Sequence, residues 1–99
     1  GAIEDFTKAI ELDPDIAYTA YYLKGAYFNR GRAKGIGDAK GAIEDFTKAI
    51  EIDPDYASAY VARGLVKSIS DLNGACEDWK KAVNLGDTTA ADWVKNKCN

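Results

Sequence analysis

The 99-residue chain has no histidine and no methionine, two prolines, two cysteines, and no long apolar run. Without imidazole, Ser-His-Asp and Cys-His catalysis fall away, along with histidine-ligated zinc and the usual near-neutral general base. Two thiols cannot close a four-thiolate metal site. No stretch approaches the roughly 18 apolar residues that a membrane span requires. Positive charge is also in the minority: 13 Lys and Arg face 16 Asp and Glu, a net charge of -3 with an isoelectric point of ≈ 4.8. That balance disfavours nucleic acid or anionic lipid as partners of the whole surface. Catalysis would have to rest on carboxylates, lysines or tyrosines, whose spacing suggests no constellation. The chain is therefore read as a non-enzyme with no catalytic residue, no metal and no cofactor. Its expected partners are proteins or peptides, not nucleic acid or membrane.

The rest of the composition is ordinary for a folded domain, with 46% hydrophobic and 29% charged residues. Its distinguishing property is repetition. GAIEDFTKAIELDPD at Gly1 returns as GAIEDFTKAIEIDPD at Gly41, an offset of 40, with Ile52 in place of Leu12. RGRAKGIGDAKGAIEDF (30–46) lies over RGLVKSISDLNGACEDW (63–79) at an offset of 33, agreeing at Arg30/Arg63, Gly31/Gly64, Lys34/Lys67, Asp38/Asp71, Gly41/Gly74 and Asp45/Asp78. One unit is thus seven residues longer than the next.

Within the shared unit Ala42, Ile43, Phe46, Ala49 and Ile50 recur at helical spacing and form one apolar stripe. Glu44, Asp45, Lys48 and Glu51 fall on the other face, which is read as solvated. Asp53-Pro54-Asp55 ends this helix, since proline cannot continue it but can open the next, with Asp53 placed to cap. Asp13-Pro14-Asp15 repeats the signal. A second helix follows each turn, from Ala57 to about Ile69 in the short unit, where Gly64 is read as a point of close helix approach. The seven extra residues fall between Thr19 and Gly25. Because seven is close to two turns, a lengthened helix keeps its apolar face and gains roughly 10 Å. This predicts a helix from about Asp15 to Ala33, the alternative being a helix that stops near Asn29 and a long loop over GRAKGIG.

A tyrosine four residues before a glycine, then Ala-x-x-x-aromatic-x-x-Ala and a closing Asp-Pro, resembles the tetratricopeptide repeat. The residues that carry the likeness are Tyr60, Gly64, Ala75, Trp79 and Ala82 in one unit and Tyr27, Gly31, Ala42, Phe46, Ala49 and Pro54 in the other. Ala2, Phe6, Ala9 and Pro14 add a leading half-repeat. The last unit closes with Leu85-Gly86-Asp87 instead of Asp-Pro and has some likeness to Sel1-like repeats. The resemblance implies an all-α fold: an α-solenoid of antiparallel helix pairs with about 2.5 units and a C-terminal capping helix. The expected partition is a half-repeat helix (1–13), a long 40-residue unit (14–53), a 33-residue unit (54–86) and the cap (87–99).

The family builds a concave face from the first helix of each pair. Counting from Tyr27 and Tyr60, groove candidates are Phe28, Asn29, Arg32 and Ile36 with Val61, Ala62, Leu65 and Ile69. That face is mostly apolar, with Phe28, Val61 and Leu65 where relatives that hold acidic peptide C-termini carry polar groups, so an apolar segment is the expected occupant. The function so implied is a protein-interaction scaffold. The alternative is self-assembly: the helix Ala2 to Leu12 is a second-of-pair helix without its first, leaving Ile3, Phe6 and Ile10 for a preceding repeat or another copy of the chain, which would make a homo-oligomer.

Tyr18, Tyr21, Tyr22, Tyr27 and Phe28 can serve as a ligand platform or as interhelical packing, and packing is the expected job for most of them. Lys24, Arg30, Arg32, Lys34 and Lys40 form a local basic excess, opposed nearby only by Asp38. Gly86 is placed to end the helix that starts near Leu72 and Asp87 to cap a last helix over Thr88 to Lys97. The two antiparallel helices then carry Cys76 and Cys98 to the same level, either as a disulfide or as two small buried thiols. A disulfide would imply an oxidising compartment, periplasmic or secreted; otherwise the expected compartment is cytoplasmic.

Overall fold

A computed structural model describes residues 14–98. The expectations for Ala2 to Leu12, and with them Ile3, Phe6 and Ile10, lie outside the described residues. Five α-helices follow in order: α1 (Pro14–Lys34), α2 (Ala39–Ile52), α3 (Ala57–Lys67), α4 (Leu72–Asn84) and α5 (Ala91–Lys97), with a 3-10 turn at Ile36–Asp38 before α2. No strand occurs among the described residues. The main packing runs α1 on α2, α2 on α3, α3 on α4 and α4 on α5, the serial contact order of a helical repeat.

The seven-residue insertion lengthens a helix and not a loop. α1 runs 21 residues without a break through Asn29 to Ala33, against 11 in α3. The insertion supplies seven of the ten additional residues. The other three arise because Pro14 enters its helix, whereas Pro54 lies in a turn and α3 starts at Ala57. Asp53 therefore does not cap α3 as expected: its Oδ1 accepts from the Asp55 amide within that turn, and Tyr56 holds the cap position. α3 also ends at Lys67, two residues short of Ile69.

The paired identities of the two units correspond to repeated structural devices. Asp38 Oδ1 accepts from the Gly41 amide at 3.0 Å and Asp71 Oδ1 from the Gly74 amide at 2.9 Å, so the same cap opens α2 and α4. Gly31 lies against the Phe46 ring and Gly64 against the Trp79 indole, letting α1 and α3 approach the helices that follow them. Phe46 and Trp79 are each 1% exposed and anchor two core clusters. Beside them, Arg30 holds Asp45 through Nε and Nη2, both at 2.8 Å, and Arg63 holds Asp78 at 2.9 and 2.7 Å. Lys34 and Lys67 reinforce the two clamps at 3.1 and 3.5 Å.

Asp45 is thus not on a solvated face. It is 1% exposed, because α2 is covered by a helix on either side and its charged stripe meets Arg30 of α1. The hydrogen bonds from Arg30 pull its carboxyl down to about 2, with Lys34 assisting and burial opposing.

α4 ends in a Schellman turn: the Gly86 amide reaches the Val83 carbonyl and the Asp87 amide the Ala82 carbonyl, with Gly86 at φ 98°. The last helix begins at Ala91, three residues later than expected, because Asp87 Oδ1 accepts from the Thr89 amide and closes a separate turn. The Cys76 and Cys98 sulfurs stand 2.09 Å apart as a disulfide, with Cα atoms at 5.7 Å.

Candidate functional site

α1 and α3, the first helices of their pairs, flank an open surface cavity of ≈ 370 Å³. One wall is Phe28 and Arg32 of α1, continued by Gly35; the facing wall is Ser58, Val61, Ala62, Leu65 and Val66 of α3. Phe46 of α2 contributes to the lining, as do Asp87 and Thr89 from the α4–α5 turn. Ser58, Val61 or Ala62, and Leu65 recur at i, i+3 or i+4, and i+7, so one face of α3 presents all of them together.

Phe28 is fixed by neighbouring aromatics, 5.7 Å from the Phe46 ring and 5.1 Å from the Tyr56 ring. Burial raises the Tyr56 phenol above its ordinary pKa, so Tyr56 packs as a neutral ring. The Arg32 guanidinium lies 5.6 Å over Phe28, an attraction of about 0.5–1 kcal/mol at an exposed site. Among the described residues no carboxylate pairs with Arg32. The cavity therefore joins apolar walls to a cationic edge at Arg32 and an acidic edge at Asp87.

Five of the eight groove candidates, Phe28, Arg32, Val61, Ala62 and Leu65, come together here. Asn29, Ile36 and Ile69 do not line the cavity. Asn29 is exposed on another face of α1, Ile36 stands 66% exposed in the 3-10 turn, and Ile69 is 68% exposed in the turn after α3. Extrapolating helical spacing past the true helix ends placed the two isoleucines wrongly. Ser58 could have been found from its spacing to Val61 and Leu65. Asp87 and Thr89 carried no such signal, because only tertiary packing brings their turn to α3.

The basic excess on α1 is largely neutralised. Arg30 and Lys34 serve Asp45, and Lys24 pairs with Asp53 and lies 5.0 Å over the Tyr56 ring. Asp38 is therefore not the only opposing acid. Tyr18, Tyr21 and Tyr22 are not packed between helices: all three are exposed, with Tyr18 edge-on to Tyr22 at 5.0 Å. Among the described residues no group of acidic or thiol ligands could hold a metal ion, and no helix is long and apolar enough to cross a membrane.

Residues 36–68 match the family model described as TPR repeat. Over that third of the chain the sequence is similar to the tetratricopeptide repeat. The match covers the 3-10 turn, α2 and α3, the segment holding Phe46, Val61 and Leu65, and ends one residue beyond α3. It lends nothing to the Sel1-like character expected of the last unit. Comparisons with curated proteins and with solved structures give no match. Tetratricopeptide repeats generally mediate protein–protein interactions and are typically non-enzymatic scaffolds.

Proposed function

We propose that the chain is a tetratricopeptide scaffold that holds an apolar segment of a partner protein between α1 and α3. The observation that carries this reading is the cavity walled by Phe28, Val61, Ala62 and Leu65, with Arg32 and Asp87 at its edges. Leu65 is 44% exposed in the free chain. Covering it and the Phe28 edge supplies apolar burial at about 25 cal/mol per Å², and Phe28 is already held in place, so little side-chain entropy is lost on binding. The charged edges supply direction: an acidic group on the segment meets Arg32 and a basic or amide group meets Asp87.

The division into 14–53, 54–86 and 87–99 remains a proposal of the same kind, with 1–13 as the leading half-repeat. Self-assembly through Ile3, Phe6 and Ile10 is the rival outcome, and one pair of variants separates the two. Phe28→Glu and Leu65→Glu should abolish capture of a heterologous partner while leaving the oligomeric state by light scattering unchanged. Loss of self-association with partner capture intact would instead support assembly. As to compartment, the Cys76–Cys98 bridge favours an oxidising one.

A further inference from the structure

The disulfide joins the second turn of α4 to the residue just after α5, the shortest of the described α-helices. α5 has seven residues and no side-chain N-cap bond, and a helix that short does not persist alone in water. It is held by Trp93, Val94 and Cys98 packing on Ala75, Trp79 and Ala82, with the two tryptophan rings 5.3 Å apart, and by the covalent bridge. The cluster around Phe46 and the Asp45 clamp contain no residue of α5. The bridge itself borders a surface cleft of ≈ 340 Å³, lined by Leu72, Asn73, Glu77, Lys80 and Lys97 beside the two sulfurs.

We propose that Cys76–Cys98 is a thiol-reducible latch on α5, and that opening it also loosens the α4–α5 end of the groove. A dithiol reaches the cleft and its thiolate attacks Cys98 Sγ, the sulfur of the more exposed cysteine, Cys76 being 8% exposed. A mixed disulfide to Cys98 forms and the Cys76–Cys98 bond breaks, with Cys76 leaving as a thiolate. Lys80, one turn further along α4, and Lys97 offset that charge, with Glu77 opposing. The second thiol of the dithiol then displaces Cys98. The reductant departs as a cyclic disulfide, two electrons and two protons having passed to the protein. α5 loses its covalent tether, and the far end of the turn carrying Asp87 and Thr89 is then held only by the packing of Ala90, Trp93 and Val94. The control of the groove rests on the binding reading above; the latch does not.

The test uses the oxidised full chain with dithiothreitol, in native buffer. Trp79 and Trp93 are the only tryptophans, so emission reports the α4–α5 contact directly. The expected result is a mass gain of two hydrogens without denaturant, a red shift of tryptophan emission, and loss of no more than about a tenth of the helical circular dichroism, the share α5 has among the described helices. Cys76→Ser/Cys98→Ser should show the shifted emission without reductant. A bridge that resists dithiothreitol until the chain is unfolded, unchanged emission after reduction, or collapse of the whole helical signal would each overturn the latch. Groove control is read separately with 8-anilinonaphthalene-1-sulfonate, using Leu65→Glu as the groove-negative chain. Dye that binds the oxidised chain at Leu65 with unchanged affinity on reduction overturns the control. Dye that binds neither state counts against the groove reading, and the latch is then decided by tryptophan emission alone.

Discussion

Gly64→Ala is the most informative single change in the core. A Cβ at Gly64 would lie 2.5 Å from Trp79 Nε1, 2.6 Å from its Cδ1 and 3.1 Å from the Ala75 carbonyl oxygen. The indole is 1% exposed and Trp93 packs on it, so the ring has little room to withdraw. Overpacking of this kind costs about 1–3 kcal/mol, against about 1 kcal/mol gained when alanine replaces glycine inside a helix. The expected balance is a loss of about 1 kcal/mol, within a range of roughly 0–2. Gly25 provides the internal control: it lies within α1, and a Cβ there would meet nothing within 4 Å. Gly25→Ala should therefore realise the propensity gain alone, about 0.5–1 kcal/mol of added stability. Urea unfolding followed by circular dichroism measures both, with the slope expected to stay constant. Each kcal/mol corresponds to about 4–8 °C in Tm for a domain of this size. A Gly64→Ala chain that gains as much stability as Gly25→Ala, or two variants shifting in the same direction, would refute the close-approach argument.

Helical spacing and the repeat sufficed for the helices, the lengthened α1 and the Gly86 turn, because those are local properties of the chain. They did not suffice for Asp45. A helical wheel assigns it to solvent, and only the stack shows that α2 is covered on both sides and that its acid meets Arg30, 15 residues earlier. The paired identities Arg30/Arg63 and Asp45/Asp78 carried that information, but as letters that agreed and not as a contact. The cavity divides in the same way. Phe28, Arg32, Val61, Ala62 and Leu65 follow from helical register, whereas Asp87 and Thr89 depend on how a turn folds back. Ile36 and Ile69 missed the cavity because Gly35, at φ 48°, and the turn at 68–70 end the two helices before the register reaches them.

The remaining predictions concern the clamps, the bridge and the groove. Asp45→Asn removes a bidentate acceptor from Arg30 and should cost roughly 1–3 kcal/mol. The carboxyl of Asp45 is lowered from 3.8 to about 2 in the folded chain, so its ionised form contributes stability above about pH 4 and loses that contribution as pH falls toward 2. This amounts to on the order of 1 kcal/mol after screening of the half-exposed Arg30. Acid titration of the Asn variant should show a correspondingly shallower loss, and an unchanged acid profile would count against the clamp. Cys98→Ser opens a loop of 22 residues and should lower stability by about 3 kcal/mol in the loop-closure model, measured by urea unfolding without reductant. Leu65→Glu, at a half-exposed site, should change stability by no more than about 0.5 kcal/mol while removing partner binding.

The central claim is that a partner segment lies between α1 and α3. The direct measurement is amide chemical-shift mapping of the isotope-labelled chain, titrated with a peptide selected for binding from a random display library. Shifts concentrated at Phe28, Arg32, Ser58, Val61 and Leu65, and absent in Leu65→Glu, are the predicted result. Shifts concentrated instead on the exposed Tyr18 to Tyr22 face, or equal binding by Leu65→Glu, would contradict it.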